Sequence, residues 1–427
     1  MRTRPLSTSR LCTAARRIDQ ASAVAAASLA AISVLISAYL GLLTVAGAGA
    51  ERARRVAKRP DRDRVAPPGR TLVLVPAHDE APVIERTLCS VAALATPEAF
   101  TVHVVADHCG DTTADAVRGC GVEVHERDSG TPGKGPALNW LLDRLIERGE
   151  QFDSVAIVDA DTVVDPSFID EARGALADGA VAVQGWYGVL DAEASPAAAW
   201  RAAALASRHH LRPLGRTALG SSSGLFGNAI VFRRDIAEAH RWSGHLVEDA
   251  ELQLRLLAAG HVVAYAPDAR VAAEMPDERD AATSQNERWE RGRLELVHDA
   301  WTRLIRQVVT GPRRGAALDT LADLLVPPLS VVVTLQSAVL AATGVRRGVR
   351  RRGTTAAVAS FAALSVTALH IVTALWSVDA PRSTSRALAD APRAVWWKVT
   401  LWLRVRRPGH EVQWARTRRN DGRTTMG

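Results

Sequence analysis

Two aspartates, Asp159 and Asp161, close the unbroken apolar run 155–158 within SVAIVDADTVVD. A strand that carries two carboxylates out of its C-terminal end offers hard oxygen ligands to a Mg²⁺ or Mn²⁺ shared with a diphosphate. A lone Asp-x-Asp is equally the composition of a polar turn. Its company separates the two readings. Three earlier expected strands also end in polar loops: Pro76-Ala77-His78-Asp79-Glu80 after 71–75, Asp107-His108-Cys109-Gly110-Asp111 after 101–105, and 128–135 after 122–125. In the last of these, Gly133-Lys134-Gly135 opens a helical stretch, so backbone N–H groups and one ammonium face phosphate oxygens. The spacing is not that of a P-loop, and Pro136 follows where a hydroxyl residue would be needed. Downstream, Glu248 and Asp249 precede a patterned helix, 250–259, closed by Gly260. Acidic charge favours a helix first turn in any case; beside an acceptor hydroxyl, the same carboxylate is a general base. Residues 283–293 are helical and dense in planar polar groups, and there Arg288 suits a diphosphate clamp and Trp289 a sugar-stacking surface. The alternative for that stretch is a solvated basic helix with Trp289 in the core.

The elements that must position these groups alternate between strand and helix from residue 71 onward. Strands at 71–75, 101–105, 122–125 and 154–158, with helices at 81–94, 111–118 and 135–148 between them, predict an α/β fold with a largely parallel sheet and ligand groups gathered beyond the strand ends. Further strands are expected at 180–186, 229–233 and 261–267, with an Ala-rich helix at 194–207 and a flexible Gly-Ser loop at 220–224. The segment 219–228 is expected to face the acceptor. His209 and His210 read as a surface pair. Neither the twelve histidines nor the four cysteines show zinc spacing, and no Gly-x-Ser-x-Gly elbow is present.

The chain has 427 residues, a net charge of +7 and three uncharged apolar stretches, 21–50, 324–345 and 354–378, each long enough to cross a bilayer core. The basic clusters flank these stretches, so they are assigned to membrane surface and not to nucleic acid, for which no recognition module is present. Arg346, Arg347 and Arg350 to Arg352 conflict with a simple hairpin of the last two spans, and Pro327-Pro328 offers a broken or re-entrant helix as the way out. The expected organisation is an anchor at 1–50, a basic linker at 51–70, a cytoplasmic catalytic domain at 71–317 ending in an interfacial helix, spans within 318–380, and a basic amphipathic tail at 381–427.

Taken in order, Pro76 to Glu80, Asp107, Gly133-Lys134-Gly135, Asp159-Ala160-Asp161, Glu248-Asp249, Gln285-x-x-Arg288-Trp289 and Val326-Pro327-Pro328 resemble the motif series of membrane-bound family 2 glycosyltransferases, the group of cellulose, chitin and poly-N-acetylglucosamine synthases. The resemblance covers about 70–330. It implies a GT-A fold and inverting transfer of a hexose, glucose or N-acetylglucosamine, from a UDP-sugar to a lipid-linked or polysaccharide acceptor at the membrane, with additional membrane subunits as possible partners. It further implies that Pro76, Glu80 and Asp107 line the nucleotide site and that Lys134 lies near the base or diphosphate. Asp159 would support nucleotide and metal, Asp161 would bind Mg²⁺ or Mn²⁺, and Asp249 would be the base with Glu248 beside it. Gln285, Arg288 and Trp289 would close the donor and acceptor sites. The chain departs from the pattern at Asn286, where an Arg is common, and at His78-Asp79. A catalytically inert nucleotide-sugar-binding scaffold is the competing reading, against which stand the intact Asp161 and Asp249.

Overall fold

The computed structural model describes residues 8–57, 69–245, 247–274, 279–350, 354–387 and 391–406. Eight strands form one sheet: β1 (Thr71–Ala77), β2 (Phe100–Asp107), β3 (Glu123–Arg127), β4 (Ser154–Ile157), β5 (Thr162–Val164), β6 (Ala182–Val189), β7 (Ile230–Arg233) and β8 (Ala264–Ala273). The order is β3-β2-β1-β4-β7-β6-β8-β5. The first four strands are parallel, as their helical crossovers require. The second half is mixed: β7 runs antiparallel to both β4 and β6, β8 is parallel to β6, and β5 is antiparallel to β8. Strand β5, which begins directly after Asp161, has no counterpart in the sequence expectation because three residues are too few to show periodicity.

Strands covered on both faces need apolar side chains at successive positions. In β1, Leu72 and Leu74 pack with Leu138, Leu141 and Leu142 of helix Lys134–Glu147 on one face. Val73 and Val75 pack with Ile84 and Leu88 of helix Ile84–Ala92 on the other. Both layers hold the C-terminal ends of β1, β2 and β4 in register, and the polar loops issue from those ends. β1 outlasts its pairing with β4, which stops at Leu74↔Ile157, so Pro76 interrupts no ladder bond on that side.

Three expectations are corrected by the structure. Helix Thr8–Ala57 runs well into the segment expected to be a basic linker. Arg54 donates to Asp268 at 2.8 Å and Arg55 to Asp379 at 3.0 Å, while both bind the fully buried Glu51. These two guanidinium groups therefore serve protein carboxylates and not lipid head groups; Lys58 and Arg59 lie outside the described residues. His209 and His210 are buried, at 8% and 1% exposure, because the apolar rings of Phe226 and Tyr265 pack against them. The Tyr265 hydroxyl donates to the His209 carbonyl at 2.9 Å and lies 2.8 Å from His210 Nδ1. The Gly-Ser loop is a buried, bonded strap: Ser221 Oγ donates to Asp319, Val263 N to Ser222 Oγ, and Ser223 N to the Val263 carbonyl.

Two helices, Ser22–Ala57 and Thr355–Ser377, are long and apolar enough to cross a membrane. The third expected span is the second member of a broken pair, Arg314–Leu325 and Leu329–Val345, interrupted at Val326-Pro327-Pro328 where two prolines remove helix donors. The described parts of 1–42 and 326–372 form one compact unit. Ser37 joins its three helices through a buried polar knot, donating to the Ala363 carbonyl at 2.9 Å and accepting from Gln336 Nε2 at 2.8 Å, the kind of glue that apolar surroundings favour. The remainder, 43–325 and 373–427, is the other unit and contains the whole sheet.

Leu141 is fully buried beneath β1 in the cluster of Leu72, Leu74, Leu138 and Leu142. Leu141→Ala is expected to destabilise the sheet unit by about 2–5 kcal/mol, read as a lowered thermal midpoint of the purified protein.

Candidate active site

The Asp-Ala-Asp link leaves β4 and is fixed at both ends by one buried amide. Asn228 Oδ1 accepts from the Asp159 N–H at 3.1 Å, and its Nδ2 donates to Thr162 Oγ1 at 2.7 Å. The same oxygen accepts from Ala229 N at 2.8 Å, and Gln184 Nε2 donates to the Asn228 carbonyl. Asn228 lies in the segment expected to face the acceptor, yet its side chain is fully buried and positions the carboxylates instead. Asp161 is half-buried, and Thr162 Oγ1 donates to it over 3.4 Å.

Lys134 is the first residue of its helix, and its ammonium binds both the Asp159 carboxylate and the Gly227 carbonyl. Gly135 permits that placement: a Cβ there would lie 2.0 Å from the Ser243 carbonyl oxygen. Asp107 is buried at the end of β2 and holds the preceding loop. One of its oxygens binds Arg127 and the other accepts from Gly133 N at 2.9 Å, while Arg127 reaches on to the Thr131 carbonyl. His78 Nδ1 lies 2.7 Å from the Asp107 carbonyl. Glu80 is half-buried, with its backbone N–H bonded to Thr113 Oγ1. Three non-glycine residues with left-handed backbone, Asp79 (φ 54°), His108 (φ 51°) and Ala229 (φ 56°), border these loops, and such strain concentrates at functional sites.

Asp249 approaches Lys134 from the start of helix Glu248–Ala258. A Cβ on Gly227 (φ 78°) would lie 3.5 Å from Asp249 Oδ2 and 3.7 Å from Lys134 Nζ, so the carboxylate and the ammonium converge on the space this glycine leaves open. Burial pushes the pKa of Asp249 up, and Lys134 and Arg208 pull against it. Glu248 is raised as well, first by burial and then by the charge of Asp249. For Lys134, burial works against the ammonium, but Asp159, Glu248 and Asp249 outweigh it and its pKa rises. The site thus holds a firmly protonated lysine beside a pair of reluctant carboxylates.

Trp289 is 42% exposed and Arg288 half-buried, both on helix Arg279–Thr310. That helix packs Leu296, Ala300 and Leu304 against Val247, Ala250 and Leu254 around the start of the Asp249 helix, bringing the two elements side by side. The core alternative for Trp289 is thereby set aside. Gln285 lies on the same helix, and its side chain is outside the described ones. Sequence reasoning missed Arg208. It projects from a π-helical turn, Ala206–Leu211, is exposed, and makes no hydrogen bond or ion pair among the described residues. Single-turn π segments of this kind mark functional sites, but nothing in the local sequence announces one.

The family model for glycosyltransferase like family 2 matches residues 67–292, more than half of the chain. This chain belongs to glycosyltransferase family 2. Its mixed α/β sheet, with the donor-side loops at the ends of the parallel strands, is the GT-A arrangement. No curated protein matches the glycosyltransferase in sequence. Among solved structures it is similar to a mannosyltransferase from Pyrobaculum calidifontis in complex with GDP-Man and Mn²⁺ (20% identity, TM-score 0.46, 80% of this chain and 99% of that one). It is also similar to glucosyl-3-phosphoglycerate synthase from Mycobacterium tuberculosis with Mn²⁺, UDP and phosphoglyceric acid (20% identity, TM-score 0.39, 52% and 76%). A third likeness is to S. aureus TarS (13% identity, TM-score 0.40, 70% and 55%).

Two triads among the described residues bring three potential metal ligands within 4.8 Å of one another: Asp79, Cys109 and Asp111 beside the glycosyltransferase's crevice, and His103, Glu123 and His125 outside it. The first is accounted for as a turn. Asp79 Oδ1 already accepts from Gly110 N and Asp111 N, Asp111 binds Thr113, and burial raises the Cys109 thiol away from its ligating form. The Asp159–Asp161 pair supplies carboxylate oxygens alone, the donor chemistry that suits Mg²⁺ or Mn²⁺.

Asn228→Ala would leave the Asp159 N–H and Thr162 Oγ1 without their buried partner. The expected loss is about 1–3 kcal/mol in thermal unfolding, accompanied by weaker binding of the nucleotide donor in a titration.

Proposed function

We propose that the protein is an inverting, metal-dependent hexosyltransferase that moves glucose or N-acetylglucosamine from a UDP-sugar to a lipid-linked or polysaccharide acceptor at the membrane. The observation that carries the reading is the convergence of Asp249 and Lys134 on one point beside Gly227, with Lys134 bridging back to Asp159. This sets a phosphate-binding cation and a proton acceptor a few ångströms apart at the ends of the parallel strands. A single crevice can then hold the departing and the attacking group together.

In this reading the loops after β1 and β2, with Pro76, Glu80 and Asp107, take the nucleotide. Lys134 and the first turn of its helix face the diphosphate, and the N-terminal helix dipole adds to the ammonium. Asp161 and Asp159 would hold a Mg²⁺ or Mn²⁺, which when bound supplies charge neutralisation for the diphosphate. Asp249 accepts the proton of the acceptor hydroxyl as that oxygen attacks the anomeric carbon from the face opposite the leaving UDP, inverting the centre. The C–O bond to UDP breaks as the new glycosidic bond forms, and Lys134 and Arg288 meet the negative charge left on the diphosphate. The exposed Trp289 offers an aromatic face to the sugar, with Gln285 beside it, and Glu248 tunes Asp249. The two apolar helices and the broken pair support a multi-pass membrane protein with the 71–317 domain on the cytoplasmic side, where UDP-sugars and a reducing environment for Cys89, Cys109 and Cys120 coincide. Additional membrane subunits fit the small number of spans.

Purified protein given Mn²⁺ and UDP-glucose or UDP-N-acetylglucosamine should release UDP, and Asp249→Asn should lower that rate by roughly 10²–10⁴-fold while donor binding persists. Full activity of Asp249→Asn sinks the base assignment, and donor binding without any turnover across acceptors favours the scaffold. Chelation should stop UDP release, and Mg²⁺ or Mn²⁺ should restore it in the wild type but not in Asp161→Asn. The raised pKa of Asp249 places the rising limb of kcat/KM above the ordinary carboxylate range, because the base works only when deprotonated. Arg208→Ala removes a cation that lowers this pKa, so the limb should move to higher pH in a pH–rate profile.

A further inference from the structure

His103 on β2 and His125 on β3 lie 22 residues apart in the chain, and the parallel register, His103↔Glu123 and Val105↔His125, brings them onto one face at the edge of the sheet. His125 Nε2 is 3.4 Å from His103 Nδ1. His103 Nδ1 is 3.4 Å from Glu123 Oε2, and His125 Nε2 is 3.5 Å from Glu123 Oε1. Three ligand atoms bound to zinc at about 2.0–2.1 Å in a tetrahedron lie about 3.4 Å apart, so the triangle already has the dimensions of a coordination face. We propose that His103, Glu123 and His125 form a binding site for a zinc-class divalent ion that cross-links β2 to β3.

The chemistry of the donors agrees. Two imidazoles and one carboxylate suit zinc, whereas Mg²⁺ prefers an all-oxygen shell. Both imidazoles are buried, and a ring of this kind ligates zinc through the lone pair of its neutral form. Glu123 is half-exposed and gives the ion an approach from solvent. The groups facing the cluster include Arg148, whose Nη1 donates to Glu123 Oε1 at 2.5 Å, and Arg148 must share that oxygen when the ion binds. The cluster is separate from the crevice: His103 precedes Asp107 by four residues of extended strand, about 13 Å. It nevertheless acts on the same pair of strands whose last residues, Asp107 and Arg127, bond to each other and hold the loop before Lys134.

The test is zinc binding to the full chain, purified in detergent and stripped with a chelator, measured by competition with a zinc indicator and by X-ray absorption. One zinc equivalent should have a nitrogen and oxygen shell without sulfur, which separates it from Asp79-Cys109-Asp111, and it should persist in Asp161→Asn. Glu123→Gln is expected to weaken that equivalent by roughly tenfold or more, His125→Asn to remove it, and Arg148→Ala to tighten it. Glu123 and Arg148 are both partly exposed, so their variants decide the matter even where His125→Asn fails to fold. Zinc affinity and stoichiometry unchanged in Glu123→Gln and Arg148→Ala would overturn the proposal, as would a shell containing sulfur.

Discussion

One ammonium joins the parts of the candidate crevice that come from distant stretches of chain. Lys134 stands at the start of its helix, binds Asp159 from the end of β4 and the Gly227 carbonyl from the strap before β7, and lies beside Asp249 from a further helix. Such a charge survives burial only if opposite charges surround it, and here Asp159, Glu248 and Asp249 do so. The reverse also holds. Without the lysine, three carboxylates would face one another in a low-dielectric crevice, and their mutual repulsion would raise their pKa values further and favour protonation. The same ion pairing that gathers the site therefore leaves it rich in negative charge, ready for cationic help when a diphosphate arrives.

Behind the crevice a second set of charges locks the strap that ends at Gly227. Arg216 binds Asp319, the Ser223 carbonyl and Thr320, Arg212 binds Asp323, and Ser221 donates to Asp319. Four guanidinium groups, of Arg208, Arg212, Arg216 and Arg293, surround Asp323 and hold its pKa far below the ordinary range against the effect of burial. Buried pairs of this sort add little net stability, since desolvation offsets most of the attraction, but they fix one arrangement among many apolar alternatives. Helix Arg314–Leu325 is thus registered to the strap that positions Gly227. On the other side Lys398 reaches Glu290 at 3.2 Å and Asn286 at 2.6 Å, which ties helix Ala391–Val405 to the helix of Arg288 and Trp289. The residue at 286 that departs from the family pattern has a structural partner of its own.

The first half of the fold was legible because its signal is local. Apolar runs ending in polar loops give parallel strands and their ligand edge, and boundaries fell within a few residues of those observed, as for helix Lys134–Glu147. The second half was harder to read. β5 is too short for periodicity, β8 extends past Pro267 to Ala273, and the reversal of β7 depends on pairing partners far away in sequence. Among candidate site residues, those at strand ends and helix starts could be named from the sequence because geometry follows from position there. Asn228, Arg208 and the His103–Glu123–His125 triad could not, since each owes its role to register or to a π-helical turn that brings residues together across the chain. His209 and His210 show the cost of reading polarity alone: their rings are packed by Phe226, Tyr187, Tyr265 and Trp186, an environment that composition does not reveal.

The π-helical turn sorts its basic residues by burial, and its one arginine adds to the pull of Lys134 on Asp249. His209 and His210 turn inward, where burial lowers their pKa to about 3 and about 4, so they are neutral at physiological pH and add no charge. Arg208 is exposed and makes no hydrogen bond or ion pair among the described residues. Its influence therefore falls on Asp249, Glu290 and Asp323 together. Burial raises the pKa of Asp249, and Lys134 first and Arg208 after it pull against that rise without a direct bond to its oxygens, which in the proposed role must stay open to a hydroxyl. A salt bridge to Asp249 would lower the pKa further but would occupy the atoms that must take the proton.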